Sequence, residues 1–272
     1  ETDYCRNLVL QRHLRPPHPS PPNWPWPLKI HVLGAFRVEC DGRFLEEGAK
    51  AASRSLDILR ILATARDHLC AVATICDWLG PDAHGDRAKA AFEQALHRLR
   101  RLLGRGDLIV QREGRLKLAA DRVLVDLDDW EARIEQLAPP DTRMSSLETL
   151  LDDFPGPLLH GEILRSWTMQ AAGGVRETYL GLAVRIAAGQ EGEGRHDAAR
   201  NTYLRALDVY PDWTRAHEAL IGGRLSQADV AGALEDYGRY EAMRKVHLDM
   251  PPQPAIRALV APYLPGQANV RA

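Results

Sequence analysis

The chain has 272 residues, of which 45% are hydrophobic and 26% are charged, and its formal net charge is −2. This composition is that of a globular protein, and the absence of any stretch of about 18 apolar residues excludes a membrane-spanning one. The 4 cysteines form no CxxC pair, which argues against a zinc site and favours a cytoplasmic protein with reduced thiols.

The charge is unevenly divided along the chain. Residues 28–120 contain 16 Lys and Arg against 12 Asp and Glu, whereas residues 121–272 contain 16 against 23. This asymmetry predicts a nucleic-acid surface on the basic half and a different task for the acidic half.

Residues 1–27 are predicted to be a leader followed by a proline-rich linker. Seven prolines lie in residues 16–27. Proline fixes φ and removes an amide donor, so this segment should be extended and semi-rigid. Residues 1–15 are too few for a domain, so they are interpreted either as a disordered leader or as the tail of an upstream domain.

The basic half begins with β structure and continues with helices. A β-hairpin is predicted within positions 28–45, from their apolar side chains and from the turn dipeptide Asp41-Gly42. An apolar helical period predicts a first helix from Ser53, and a second short helix is expected over Val72–Leu79.

A third helix is predicted from Arg87 to Leu103, ended by Gly104. It is followed by a compact hairpin over residues 108–118, with a turn at Glu113-Gly114. The apolar stripe of the third helix consists of Phe92, Leu96, Leu99 and Leu103. Its opposite face carries Arg87, Ala90, Gln94, His97, Arg98 and Arg101.

Small, amide and basic side chains on one face are what a helix in the DNA major groove needs. Arginine binds guanine bidentately, glutamine binds adenine, and further arginines take phosphates. The alternative is an ordinary solvated face, because many surface helices carry several arginines without any ligand.

From Val123 onward strand signals fade and helical periods dominate. An internal repeat of 34 residues places small, aromatic, small and proline positions at Ala199, Tyr203, Ala206 and Pro211, and then at Ala233, Tyr237, Tyr240 and Lys245, of which the first two match. Small residues let two helices approach closely and the aromatic fills the space between them, so this pattern predicts tetratricopeptide-like helix pairs.

Motifs for catalysis or metal binding are missing from the sequence. It contains no GxxxxGK, no GxGxxG after a strand and no HExxH. Asp126, Asp128 and Asp129 are interpreted as the N-cap and acidic first turn of a helix rather than as a cation site. The sequence therefore predicts no enzyme activity, no cofactor and no metal.

The segments "LKIHVLGAFRVECDGRFL", "SRSLDILRILA", "FEQALHRLRRLLG" and "LIVQREGRLKL" resemble the OmpR/PhoB-type winged helix-turn-helix. More closely, they resemble the version in Streptomyces antibiotic regulatory proteins, where a bacterial transcriptional activation domain of tetratricopeptide-like helices follows. "LLDDFPGPLLHGE" is similar to that domain's Tyr-x-Gly-x-Phe-Leu segment, with Phe154 at the aromatic position, and "AARNTYLRALDVYPDWTRAHEALI" is similar to its first full repeat.

The resemblance implies a mainly α protein with a small β part, with the winged helix in residues 28–120 and the activation domain in residues 121–272. The Trp-Pro-Trp-Pro linker resembles the join found in large ATPase-type activators, which implies that the chain is the C-terminal part of a larger regulator.

The resemblance also implies a transcription activator that binds direct repeats in promoter DNA and contacts RNA polymerase through its sigma or alpha subunit. The helical-repeat domain is expected to serve self-association on DNA, RNA polymerase contact or signal reception. The implied base-edge residues are Arg87, Gln94, His97, Arg98 and Arg101, and the implied phosphate or wing residues are Lys50, Arg54, Lys89, Arg112 and Arg115.

Two points stay open at this level. The side chain of Arg100 flanks the apolar stripe, and a DNA contact and a solvated position are equally compatible with the pattern. The alternative function is a helical-repeat scaffold or signalling adaptor that binds proteins, with the basic half as a structural cap.

Overall fold

The structure is a computed structural model that describes residues 24–45, 49–80, 85–139 and 142–264, with a few separate positions before residue 15. The side chains of residues 49–53 and of His247 lie outside this description, as does nearly all of the predicted leader and linker. The chain is mainly helical with a small β part. It divides into two compact units, Glu1–Pro140 with Asp153–Arg176 and Asp141–Asp152 with Glu177–Ala272.

The first unit contains a winged helix-turn-helix preceded by a β-sheet. In chain order, the elements up to Gln136 are β1 (Leu28–His31), β2 (Arg37–Cys40), β3 (Arg43–Phe44), α1 (Ala49–Thr64), β4 (Leu69–Ala71), α2 (Val72–Leu79), α3 (Asp86–Leu102), β5 (Ile109–Arg112), β6 (Arg115–Leu118), β7 (Val123–Val125) and α4 (Asp126–Gln136). The wing of this domain is the hairpin of strands β5 and β6.

The first sheet has the strand order β3-β2-β1-β7. The predicted turn joins β2 to β3, and Asp41 (φ 48°) and Gly42 (φ 81°) both adopt the left-handed conformation that a two-residue hairpin turn needs. Strand β7 pairs in parallel with β1, with Leu28 opposite Val123. The sequence does not indicate β7, because a strand of three residues is too short to show a period of two.

The three helices and the second sheet form the part that carries the basic helix. The helical period that predicts α1 consists of Leu56, Leu59, Ile61, Leu62 and Ala65. The first four are buried, whereas Ala65 is half-buried and lies just after the helix, which begins at Ala49 rather than Ser53. The second sheet has the order β4-β6-β5, and the predicted turn between β5 and β6 has positive φ at Glu113 and Gly114. Helix α3 ends next to Gly104 (φ 65°), so the predicted helix, turn and hairpin are all confirmed.

The segment after Asp153 packs on the loop that follows β1. Leu158 forms a bridge with Leu33, Leu159 N donates to Val32 O (2.8 Å) and His160 N donates to Gly34 O (2.8 Å). Gly34 N donates in turn to Pro157 O (3.0 Å). These backbone hydrogen bonds and the bridge therefore bind this segment to the end of β1 and the loop that follows it.

We expect Gly34→Ala to destabilise the first unit by about 1–3 kcal/mol. Gly34 has φ +72°, and a Cβ there would lie 2.9 Å from Pro155 O. Tryptophan fluorescence during urea unfolding measures this, because Trp213 is the one tryptophan of the sequence outside the first unit.

The matched control for this substitution is Gly106→Ala, since a Cβ at Gly106 meets nothing within 4 Å. It should leave the urea midpoint unchanged or raise it slightly. Equal effects of the two substitutions would contradict the close approach of Gly34 to Pro155.

The second unit consists of helix pairs. Its helices are α5 (Met144–Asp152), α6 (Ser166–Gly192), α7 (His196–Val209), α8 (Thr214–Ser226), α9 (Val230–Leu248) and α10 (Pro254–Val260). The part of α6 before Glu177 belongs to the first unit. The predicted repeat positions on α7 and α9, Ala199, Tyr203, Ala206, Ala233, Tyr237 and Tyr240, are all buried. The tetratricopeptide-like packing predicted from the 34-residue spacing is therefore present.

Candidate nucleic-acid interface

The apolar stripe of α3 faces the core of the first unit. Phe92, Leu96, Leu99 and Leu103 are each no more than 3% exposed, as the sequence predicted, and Ala88 and Ala95 complete the buried face. The buried stripe determines which side chains of the helix point to solvent.

The five residues implied as base-edge contacts share the solvent-facing side of α3. Arg87, Gln94, His97, Arg98 and Arg101 are all exposed, at intervals of three, four and seven residues that repeat on one face of a helix. Within the described part of the chain, none of the three arginines forms an ion pair.

Several arginines elsewhere in the described residues do form ion pairs. Arg133 binds Asp153 (2.6 Å), Arg239 binds Glu235 (2.7 Å) and Arg205 binds Asp152. Arg215 and Arg257 of the acidic half, by contrast, resemble the arginines of α3, since they are exposed and form no ion pair among the described residues. What α3 adds is that three such arginines lie on one face of a single helix.

Arg100 belongs to the fold rather than to this face. Its side chain is half-buried, and Nη2 donates to Ile109 O at 3.1 Å. The hydrogen bond ties α3 to strand β5 and so orients the wing against the helix. The residue that the sequence pattern left open is therefore a link between two elements.

The hairpin of β5 and β6 brings like charges together. Arg112 lies directly opposite Arg115, and Val110 lies opposite Lys117 in the same ladder. Like charges opposite each other in a sheet are destabilising. Leu116 and Leu118 are buried while Arg115 and Lys117 are exposed, so Lys117 shares the charged face of the hairpin. Sequence analysis missed Lys117, although the alternation of "RLKL" indicates it.

The remaining phosphate candidates are placed unequally. Lys89 on α3 and Arg54 on α1 are exposed. The side chain of Lys50 and the loop residues 81–84 lie outside the described residues.

A buried ionic network packs against α1. Arg60, 8% exposed, donates to Glu162 (2.7 Å) and to Asp57 (3.4 Å), and its Cζ lies 3.9 Å from the centre of the Phe36 ring. Arg165 Nη2 lies 3.4 Å from Asp57 Oδ2. Burial raises the pKa of Asp57, while Arg165 and Arg60 favour its charged form. The network joins α1 to the segment after Asp153.

Asp126 begins α4 as predicted, but its carboxylate caps another part of the chain. Oδ1 accepts from Val32 N (2.8 Å) and Oδ2 accepts from Leu33 N (3.2 Å). No side-chain cap forms at the N-terminus of α4, so the predicted N-cap role is wrong. The reason is that β7 places Asp126 beside the end of β1, where two backbone N–H groups need acceptors.

Burial raises the pKa of Asp126 to about 6, and this predicts a pH-dependent stability. An Asp in an unfolded chain titrates near about 3.9, so the folded state holds the proton more tightly. The resulting stabilisation is fully present below about pH 4 and is lost as the pH rises through about 6. Relative to Asp126→Asn, the wild-type free energy of unfolding should fall by about 2 kcal/mol between pH 4 and pH 7. Urea unfolding at both pH values measures this, and parallel pH profiles would contradict it.

His68 and Asp128 form a contact between α4 and the short turn that follows α1. His68 Nε2 lies 2.6 Å from Asp128 Oδ2, and Nδ1 lies 3.1 Å from Leu62 O. Burial disfavours the charged imidazole, but the hydrogen bond and the charge of Asp128 outweigh it and raise the pKa of His68. Asp128 therefore has a partner within the fold.

The described part of the chain contains neither a metal-binding cluster nor a membrane-spanning helix. No group of three His, Cys, Asp or Glu side chains among those residues could hold a metal ion. No helix within the same residues has both the length and the apolarity needed to cross a membrane.

Comparison with known proteins agrees with the fold. The bacterial transcriptional activator domain family matches residues 125–262, half of the chain. The chain belongs to this family, which is one of transcription regulators and not of enzymes. A comparison with curated proteins finds no match.

Among solved structures, the chain is similar to Mycobacterium tuberculosis EmbR in complex with a low affinity phosphopeptide. The two are 19% identical with a TM-score of 0.60, and the match covers 86% of this chain and 64% of that one. The likeness shows a common fold, a winged helix followed by a helical-repeat domain. The chain therefore spans less than two thirds of the length of that protein, and it combines the matched activator domain with the same overall fold.

Proposed function

We propose that the chain binds promoter DNA sequence-specifically, with α3 in the major groove and the β5–β6 hairpin as a wing on the backbone. The DNA-binding domain is assigned to residues 28–120 and the activation domain to residues 121–272. Direct repeats in the promoter would then be bound by two copies of the chain, and the helical domain would contact RNA polymerase through its sigma or alpha subunit.

The observation that supports this proposal best is the uncompensated charge of α3. Arg87, Arg98 and Arg101 are exposed without an ion pair among the described residues, while Phe92, Leu96 and Leu99 hold the helix in the core. Phosphate groups supply the missing negative charge, and guanine supplies two acceptors for one guanidinium.

The proposed residues fall into two groups. Base edges are assigned to Arg87, Gln94, His97, Arg98 and Arg101. Phosphates are assigned to Lys50, Arg54, Lys89, Arg112 and Arg115, with Lys117 added by its place on the charged face of the hairpin.

Arg112→Ala tests the wing. Removing one of two opposed arginines relieves repulsion, so the melting temperature should not fall. Affinity for specific and non-specific DNA should fall together, and the slope of log Kd against log salt should decrease by about 1. Fluorescence anisotropy over a salt series measures this, and an unchanged slope would remove Arg112 from the interface.

A protein-binding scaffold is the second candidate, and a pocket in the acidic second unit favours it. Retention on DNA separates the two functions. A regulator should bind duplex DNA with an affinity that falls steeply as salt rises, whereas a scaffold capped by its basic half should not bind at all.

A further inference from the structure

A pocket of about 390 Å³ opens between α7 and α8 in the second unit. Its floor is made of small and apolar residues with one aromatic ring: Ala199, Tyr203, Ala219, Leu220 and Gly223. The floor can pack against the aliphatic part of a long side chain. The chemistry of the walls decides which ligand fits.

The two arginines of the pocket are already neutralised from within the fold. Arg200 donates two hydrogen bonds to Asp236, at 2.8 Å and 3.1 Å, and Asp236 is 5% exposed. Arg224 is paired with Asp229, and its Nε lies 3.6 Å from Asp236. An acidic ligand would have to draw Arg200 away from a buried carboxylate, which is costly.

Two carboxylates of the lining lack an ion-pair partner, although Asp197 lies in the first turn of α7, where the helix dipole favours its charge. Glu191 and Asp197 are exposed, and neither forms an ion pair among the described residues. The nearest arginine in sequence, Arg195, lies 3.6 Å from Glu148 and 3.3 Å from Glu193. The free charge of the pocket is therefore negative.

The position of Glu191 is unfavourable for the fold itself. It lies near the C-terminal end of α6, where the helix dipole disfavours a negative charge. Burial raises the pKa of Tyr203, the charge of Glu191 raises it further and the charge of Arg215 lowers it, so both charges lie close to the aromatic ring. A residue that costs stability and faces an open pocket is a candidate for ligand binding.

We propose that this pocket binds an arginine or lysine side chain from an extended segment of a partner protein. The aliphatic part of that side chain packs on Tyr203 and Leu220, and its cationic end pairs with Glu191 and Asp197. The inference goes beyond DNA binding by the first unit and does not depend on it.

The test uses the full chain, labelled with ¹⁵N, and three capped heptapeptides that differ at the central residue. The central residue is arginine, lysine or glutamate, and serine and glycine flank it. The arginine and lysine peptides should shift the amide signals of Ala199, Ala219 and Gly223, and the glutamate peptide should not. Equal shifts with all three peptides, or none with any, would overturn the proposal.

Two kinds of variant keep the test independent of folding. Glu191→Gln combined with Asp197→Asn should weaken the arginine peptide about tenfold. Gly223→Leu should block the pocket sterically, and because leucine is the better helix former its melting temperature should not fall.

The matched control is Glu218→Gln, which removes an exposed charge of α8 outside the lining. It should leave peptide binding unchanged. Binding that survives both pocket variants, or that Glu218→Gln reduces as much as they do, would contradict the assigned site.

Discussion

Arg98→Ala and Arg101→Ala should each weaken binding to a cognate DNA site by about 1–3 kcal/mol. Both side chains leave the exposed face of α3 one turn or less apart, and no carboxylate among the described residues neutralises either of them. Each substitution therefore removes the hydrogen-bond donors of one guanidinium and leaves no buried carboxylate of the protein without its ion-pair partner. Fluorescence anisotropy at one moderate salt concentration measures the loss.

Arg133→Ala is the matched control for these variants. It removes the same charge from a half-exposed helix position of the first unit, where the guanidinium binds Asp153 at 2.6 Å. Its DNA affinity should stay close to that of the wild type. If all three variants lose affinity equally, the effect is one of net charge and not of the α3 face.

Arg60→Ala should lower the free energy of unfolding of the first unit by about 3–5 kcal/mol. The substitution leaves the buried Asp57 with Arg165 as its remaining ion-pair partner and removes the cation from the Phe36 ring. It also cuts the hydrogen bonds to Glu162, at 3.1 Å and 2.7 Å, which hold the segment after Asp153 on α1. Tryptophan fluorescence during urea unfolding reports the change.

The exposed pair of Arg133 and Asp153 again supplies the comparison. Its removal should cost about 1 kcal/mol or less, because solvent screens both charges. A similarly small cost for Arg60→Ala would mean that the buried network contributes no more than a surface ion pair.

The parts of the molecule with a strong local pattern could be predicted from the sequence. Because Phe92, Leu96, Leu99 and Leu103 repeat at helical spacing, the pattern predicts the buried side of α3 and therefore also its exposed side. The 34-residue repeat identified Ala199 and Tyr203 as core in the same way. These patterns are visible because the packing period of a helix is written into consecutive residues.

The parts that depend on distant residues could not be predicted. Strand β7 exists through its parallel pairing with β1, about 95 positions away in the chain, and Asp126 finds its partners at Val32 and Leu33 for the same reason. The attachment of Leu158 and Glu162 to the first unit likewise has no local signature. Arg100 shows the same difficulty on a small scale, because only the position of Ile109 reveals its role.

Selection of duplex DNA from a random-sequence pool by the full chain tests the central claim most directly. The wild type should enrich one motif, present as direct repeats about one helical turn apart. The double variant with Arg98→Ala and Arg101→Ala should enrich either no motif or a motif in which some positions have lost their base preference. Enrichment of the same motif by both proteins would place the DNA-reading surface elsewhere. The absence of any motif with the wild type would contradict sequence-specific DNA binding by this chain.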